Sequence, residues 1–306
     1  MSPDPASVVF FGYWSGSLPA VAALHLRSFV ARHPQSRYEL WLDEDDGSAV
    51  DEPSLQWIRT HPRIALRPFS LDALIERHVT GDRPVARYER LGALRRAGLA
   101  LGQRLSAPWR PTTPGQARFA RGRRHSSPLF GGFRRDKAYR ADLARCLVPL
   151  AHYPGPCVYA EIDTCFCTDL SHHCGDKAWA YRWDRHPFAR AALMYLPDRS
   201  WSTALVRRGN EIESFLPWML LTDAHCAELG VTLHPPRMFD PLWDGASLLY
   251  GDVDRFFCAR DNLALDLHAL DGERHLAIHW HDCHRADIAP TSIYAGLLRA
   301  CEKAVA

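Results

Sequence analysis

Two carboxylates, Glu161 and Asp163, stand two residues apart at the end of the run Val158-Tyr159-Ala160-Glu161-Ile162-Asp163-Thr164-Cys165-Phe166, which otherwise reads as buried strand. Residues two apart in a strand point to one side, and an acidic pair inside a core is costly unless it meets a cation, an arginine or hydrogen-bond donors. At the carboxyl end of a strand in an open α/β sheet the same pair faces the ligand crevice. Two carboxylate oxygens there can hold a hard divalent cation such as Mn2+ or Mg2+. A solvated strand end is the plainer reading of the triplet taken alone.

Other residues extend the chemistry. Upstream, the apolar spacing around Asp142 and Arg145 suits a helix that carries both on adjoining positions of one face, and Pro154-Gly155-Pro156 breaks that helix before the strand. A surface ion pair is the simpler account of these two. Near the end of the sequence, His279 and His281 alternate around Trp280, so in a strand they face one way, and Arg285 follows. An imidazole there can add a third ligand to a cation or donate to a phosphate, and Arg285 can neutralise phosphate charge. Cys165 and Cys167 with His172, His173 and Cys174 offer the ligand types zinc prefers, though not its usual spacing. Asp240 and Asp244 fall on an expected loop that can meet an acceptor.

The elements that must position these groups read as α/β. Apolar runs predict strands over 8–13, 39–42, 64–68 and 157–162, alternating with helices over 20–32, 53–60 and 136–150. That order fits a doubly wound sheet with ligands at the strand carboxyl ends. Beyond Asp163 the signals shorten: strands are expected over 178–183, over 193–195 and at Leu205, and a helix over 212–226. The expectation is one continuous domain over 1–306.

With 306 residues, 47% of them hydrophobic and 24% charged, the chain has an ordinary globular composition. No run of eighteen apolar residues occurs and the first thirty residues lack the order of a signal peptide, so a cytoplasmic location is expected. Nine cysteines without paired spacing predict reduced thiols. The net charge is only +2, yet the segment 83–137 carries fourteen Arg or Lys against Glu89 and Asp136. Such a basic insertion attracts phosphate-rich partners, among them an anionic membrane face or a phosphorylated acceptor. Residues 88–105 fit a helix, packed on the body or lying at a membrane surface, and 108–127 a loop.

The order Ala141-Asp142, Arg145, a turn, Val158-Tyr159 and then Glu161-x-Asp163 resembles the DXD-type sugar-transferring region of GT-A glycosyltransferases. It is most similar to the retaining group of initiating α-1,6-mannosyltransferases, α-1,4-galactosyltransferase and clostridial toxins. Phe11-Gly12-Tyr13-Trp14-Ser15-Gly16-Ser17-Leu18-Pro19, Tyr38-Glu39-Leu40-Trp41-Leu42-Asp43 and Ala277-Ile278-His279 resemble further landmarks of that group in the same order. Glu161 stands where the family usually has Asp. The resemblance implies a GT-A, Rossmann-like mixed sheet with a nucleotide-sugar half over 1–165 and an acceptor half over 166–306. It implies metal ligation by Asp163 and His279, with His281 as the rival imidazole, and contact of Glu161, Asp142 and Arg145 with the donor sugar. The nucleotide falls to Phe11, Gly12, Tyr13 and Trp14, the last as a stacking face, and the diphosphate to His281 and Arg285.

The implied activity is transfer of a hexose or N-acetylhexosamine from a nucleoside diphosphate sugar to a glycan, glycolipid or protein, with no nucleic-acid partner. The rivals are a non-catalytic polyanion- or membrane-binding module that uses 83–137, and a zinc-dependent hydrolase.

Overall fold

The computed structural model describes residues 4–80, 137–183, 186–212, 214–243, 256–258, 275–281 and 287–305. The basic run before Lys137, with its expected helix and loop, lies outside the described residues, as do Asp244 and Arg285.

Among the described residues, seven strands form a mixed sheet in the order β3 (Ile64–Phe69), β2 (Arg37–Asp43), β1 (Val9–Trp14), β4 (Cys157–Ala160), β7 (Arg190–Leu196), β6 (Trp179–Tyr181), β8 (Thr232–His234). The first four are parallel, β7 runs antiparallel to β4 and β6, and β8 is parallel to β6. The expected α/β class is thus what the chain adopts. Period-two alternation sends Phe10, Leu40 and Val158 into the core on one face and Phe11, Trp41 and Tyr159 into the core on the other. Both faces are covered, which is why these strands read as continuous apolar runs.

Helix α1 (Ala22–Arg32) covers the first face, while α2 (Leu71–His78), α3 (Lys137–His152) and α4 (Arg199–Glu211) cover the second. A separate antiparallel ribbon joins β5 (Thr164–Phe166) to β9 (Ala277–His279), and α7 (Ile293–Val305) packs it against α1. Strand β1 has β2 on one side and β4 on the other, so the chain reverses its direction of winding between β1 and β4. Ligands of open α/β sheets sit outside the carboxyl ends at such a point. No described helix is long and apolar enough to cross a membrane.

Four expectations change. The helix over 53–60 is a 3-10 helix, Pro53–Arg59, whose buried Leu55 and Ile58 sit three apart as that tighter winding requires. Leu205 belongs to α4, where Ser202, Leu205, Val206 and Gly209 form a helical stripe and Asp198 caps Ser200 N. The helix over 212–226 is replaced by α5 (Pro217–Leu220) and α6 (Asp223–Leu229): Pro217 cannot continue a helix from Ile212 and instead opens α5 at its first position, and Thr222 starts α6 by accepting from His225 N. The strand over 157–162 stops at Ala160, so Glu161 and Asp163 lie in the turn between β4 and β5.

Candidate active site

Three elements bring the acidic pair to a fixed place. Glu161 N donates to Ala192 O at 2.8 Å, which ties the turn to β7, and Trp280 N donates to Asp163 O at 3.0 Å, which ties it to the end of β9. Helix α1 holds the chain from Thr164 to Leu170: His25 Nδ1 donates to Thr164 O at 2.7 Å, Ser28 Oγ accepts from Phe166 N at 3.0 Å, and His33 Nε2 accepts from Leu170 N at 3.0 Å. The ribbon pairs Thr164 with His279. Trp280 turns the opposite way into the core, stacked on Phe256 at 5.6 Å, so its neighbours His279 and His281 face the site together. His281 does this with φ +62°, outside the strand, where a regular strand was expected. The two rings lie 3.8 Å apart.

Arg145 is the centre of a charge chain. Its Nη2 donates to Glu161 Oε1 at 2.7 Å and lies 3.0 Å from Asp142 Oδ1, its Nε donates to Ala141 O, and its guanidinium faces the Tyr159 ring at 5.0 Å. The side chain is 6% exposed, so this is an interior pair and not the surface pair of the plainer reading. Arg140, five residues earlier, fixes α3: it donates to Asp43 at 2.7 Å and Asp72 at 3.0 Å and reaches Asp45 at 3.3 Å.

Across the turn, His279 Nε2 lies 3.3 Å from Glu161 Oε2 and 3.2 Å from Asp163 Oδ1. It is buried and makes no aligned hydrogen bond with either. Its other nitrogen, Nδ1, lies 3.0 Å from Tyr181 Oη. Burial alone lowers the His279 imidazole, but Asp163, then Glu161 and Asp240, outweigh it and raise it to about 10. Burial works against ionisation of Glu161 as well, yet Arg145 and then His279 hold its carboxyl down at about 2. Four carboxylates, Asp142, Glu161, Asp163 and Asp240, therefore face one guanidinium and two imidazoles.

A divalent cation fits this surplus. The donor atoms of Glu161, Asp163 and His279 converge, and neighbouring ligands of an octahedral ion stand about 3 Å apart when its bonds are about 2.1 Å. Two oxygens and one imidazole nitrogen suit Mn2+ or Mg2+. Glu161 is 27% and Asp163 10% exposed, which leaves an open side for a ligand. Asp240, His279 and His281 form a second convergent group, but Asp240 Oδ2 already accepts from Trp183 Nε1 and His281 Nε2, both at 2.8 Å, and from Tyr181 Oη at 3.3 Å. That oxygen is saturated by donors and suits a hydrogen-bonded role.

No family model matches this sequence, and no curated protein matches it either. Solved structures do. A galactosyltransferase, LgtC, in complex with donor and acceptor sugar analogues, is similar at 12% identity over 96% of each chain, with a TM-score of 0.43. An active-site mutant of LgtC gives 11% identity over 96% of each chain and a TM-score of 0.47. PaToxG glycosyltransferase gives 11% identity over 72% of this chain and 68% of that one, with a TM-score of 0.38. Scores below 0.5 carry no argument about activity, so the chemistry rests on the side chains themselves.

The structure thus brings together Asp142, Arg145, Glu161, Asp163, His279 and His281. The stretch expected beside a nucleotide is buried as β1. Phe11 packs on Tyr153 and Tyr159, Tyr13 donates to Asp43 Oδ2 at 2.6 Å, and Trp14 lies within the core on the α1 side. Gly12 has no room for a side chain, since a Cβ would meet the Tyr38 hydroxyl and lie 2.9 Å from Ala160 O. The five residues of the zinc alternative do not form one group: Cys165 and Cys167 pack under α7, Cys174 joins another core, and His172 is exposed. None of them belongs to a metal-holding group among the described residues. Asp240 is fully buried behind the imidazoles, where an acceptor-facing loop was expected. Tyr181 and Trp183 were missed as partners of the site; an aromatic at alternate positions of a short strand reads as core and announces no hydrogen bond.

Proposed function

We propose that this chain is a metal-dependent glycosyltransferase of the GT-A type. It transfers a hexose or N-acetylhexosamine from a nucleoside diphosphate sugar, with a UDP-sugar favoured, to a hydroxyl of a glycan, glycolipid or protein, and retains the anomeric configuration. The observation that carries the reading is the buried His279 Nε2, without an aligned hydrogen bond, set between Glu161 and Asp163 just beyond the carboxyl end of β4.

Bound Mn2+ or Mg2+ supplies positive charge to a diphosphate leaving group. Asp163 and His279 are the ligands in this reading. Arg145 holds Glu161 on one oxygen and so directs the other toward the site, while Asp142 and Arg145 present a fixed carboxylate and guanidinium to donor hydroxyls. Phe11 to Trp14 lead to the loop that meets the nucleotide, and His281 and Arg285 attend the diphosphate. Preorganised charge and positioning, rather than a strong base, account for the rate. Thiols that form no disulfide among the described residues suit a cytoplasmic location, which belongs to the same proposal.

Release of UDP from UDP-glucose, UDP-galactose, UDP-N-acetylglucosamine and UDP-N-acetylgalactosamine, each with Mn2+, tests the reading. Turnover of at least one donor, abolished by EDTA and by Asp163→Ala, is expected. Turnover of none, or turnover that EDTA leaves intact, contradicts it.

A further inference from the structure

Asp240 has no task in the proposed sugar transfer, yet it is a fully buried carboxylate gathered against the back of the site. One oxygen, Oδ2, takes all its hydrogen bonds, and Oδ1 has none among the described residues. The donors to Oδ2 are held in place: Arg190 lies over the Trp183 ring at 3.4 Å, and the His281 ring packs on His279. The backbone keeps the Phe239–Asp240 turn close to β9 as well, since His279 N donates to Phe239 O at 3.1 Å, directly before Asp240. Burying such a group is costly, so a polar cluster of this kind calls for a physical reason.

Tyr181 supplies the reason. Its hydroxyl lies 3.0 Å from His279 Nδ1 and 3.3 Å from Asp240 Oδ2, and a phenol has one proton to give. If the proton goes to Nδ1, a neutral His279 carries its own proton on Nε2, in the space between Glu161 and Asp163 that a cation would take. If the proton goes to Asp240, Tyr181 Oη accepts from Nδ1–H, and Nε2 presents a bare lone pair to that space. A carboxylate is the stronger acceptor of the two. Metal-ligating histidines are commonly oriented in this way through their second nitrogen.

We propose that Asp240, acting through Tyr181, fixes the tautomer of His279 so that Nε2 is available to a cation; Asp240 and Tyr181 are positioning residues. This inference rests on the cation site of the proposed function. It distinguishes Tyr181 and Asp240 from core residues that only fill space, because removal of the Tyr181 hydroxyl changes cation affinity while the fold and the nucleotide contacts persist.

The test is Mn2+ affinity, read by electron paramagnetic resonance of free Mn2+ in the presence of UDP, for the full chain, Tyr181→Phe, Asp240→Asn and the double variant. Tyr181→Phe keeps the ring in its core, so it remains informative even where Asp240→Asn disturbs folding; thermal melts report that. Each single variant is expected to weaken Mn2+ by about 10- to 100-fold. UDP affinity at saturating Mn2+ is expected to stay within about twofold in Tyr181→Phe, as a defect confined to the cation ligand requires. The double variant should lose no more than the more impaired of the two singles, because both act along one path. Nitrogen NMR of the Mg2+–UDP form should show His279 protonated at Nδ1. Unchanged Mn2+ affinity in Tyr181→Phe, additive losses in the double variant, or a proton on Nε2 of the Mg2+-loaded chain each overturn the inference. A wild-type chain that binds neither Mn2+ nor UDP removes the donor site as well, so the two failures are told apart.

Discussion

At the scale of single residues, the site is a balance of buried charges. Arg145 neutralises both Asp142 and Glu161 from an interior position, and without it two carboxylates stand together in a poor solvent for charge. Breaking such a pair by removing one partner costs about 3 kcal/mol or more. Arg145→Ala is therefore expected to lower the unfolding free energy by about that amount, read by urea denaturation, and to release the Glu161 carboxyl from its depressed range. A loss under about 1 kcal/mol would mean that solvent reaches the pair and the chain of charges is not preorganised. The residues of this chain were legible in part. The Glu161-x-Asp163 pair and the Asp142 and Arg145 spacing have plainer readings when each is taken alone, and it is their order along the chain that singles them out. Tyr181, Trp183 and the inward turn of Asp240 did not, since their pairing depends on a fold that joins positions 41 to 98 residues apart.

At the scale of elements, α1 is the clamp on the acidic turn. His25 donates from Nδ1 to Thr164 O and accepts at Nε2 from the Tyr38 hydroxyl, both at 2.7 Å, so it fits as a neutral ring. His33 likewise gives Nδ1–H to Phe29 O and accepts Leu170 N–H at Nε2. Burial pushes the two imidazoles down to about 4 and about 3. Their folded values lie below the unfolded value, so the unfolded chain binds more protons between these limits, and stability present above a pH of about 6.5 is lost as the pH falls. Each contributes a slope of about 1.4 kcal/mol per pH unit in that window. Urea midpoints taken from about pH 7 to about pH 4.5 should fall steeply in the wild type and less steeply in His25→Gln; equal slopes would show that His25 is not the titrating clamp. The strands of the first half were legible because both sheet faces are apolar. The ends of elements were not: the strand over 157–162 stopped two residues early because the chain must turn at Glu161 to start the β5 ribbon. Pro217 and the Thr222 cap divided the expected helix over 212–226 for local steric reasons that its apolar count conceals.

At the scale of the whole molecule, the sheet reverses its winding between β1 and β4, and the charge chain lies just past the carboxyl end of β4. The α1 clamp, the β5–β9 ribbon and the Asp240 cluster converge on that place from three directions, so elements distant in sequence contribute to one opening. Class and approximate order of elements could be read from the sequence, since period-two and helical patterns are local. The ribbon that joins Thr164 to His279 could not, because three-residue strands far apart carry too little local signal. The central claim is that Asp163 anchors a cation which in turn holds a nucleoside diphosphate. Calorimetric titration of UDP into the wild type and Asp163→Ala, each with and without Mn2+, tests it most directly. The account predicts UDP binding that requires Mn2+ in the wild type and disappears in Asp163→Ala; equal UDP binding by both proteins, or binding indifferent to Mn2+, would contradict it.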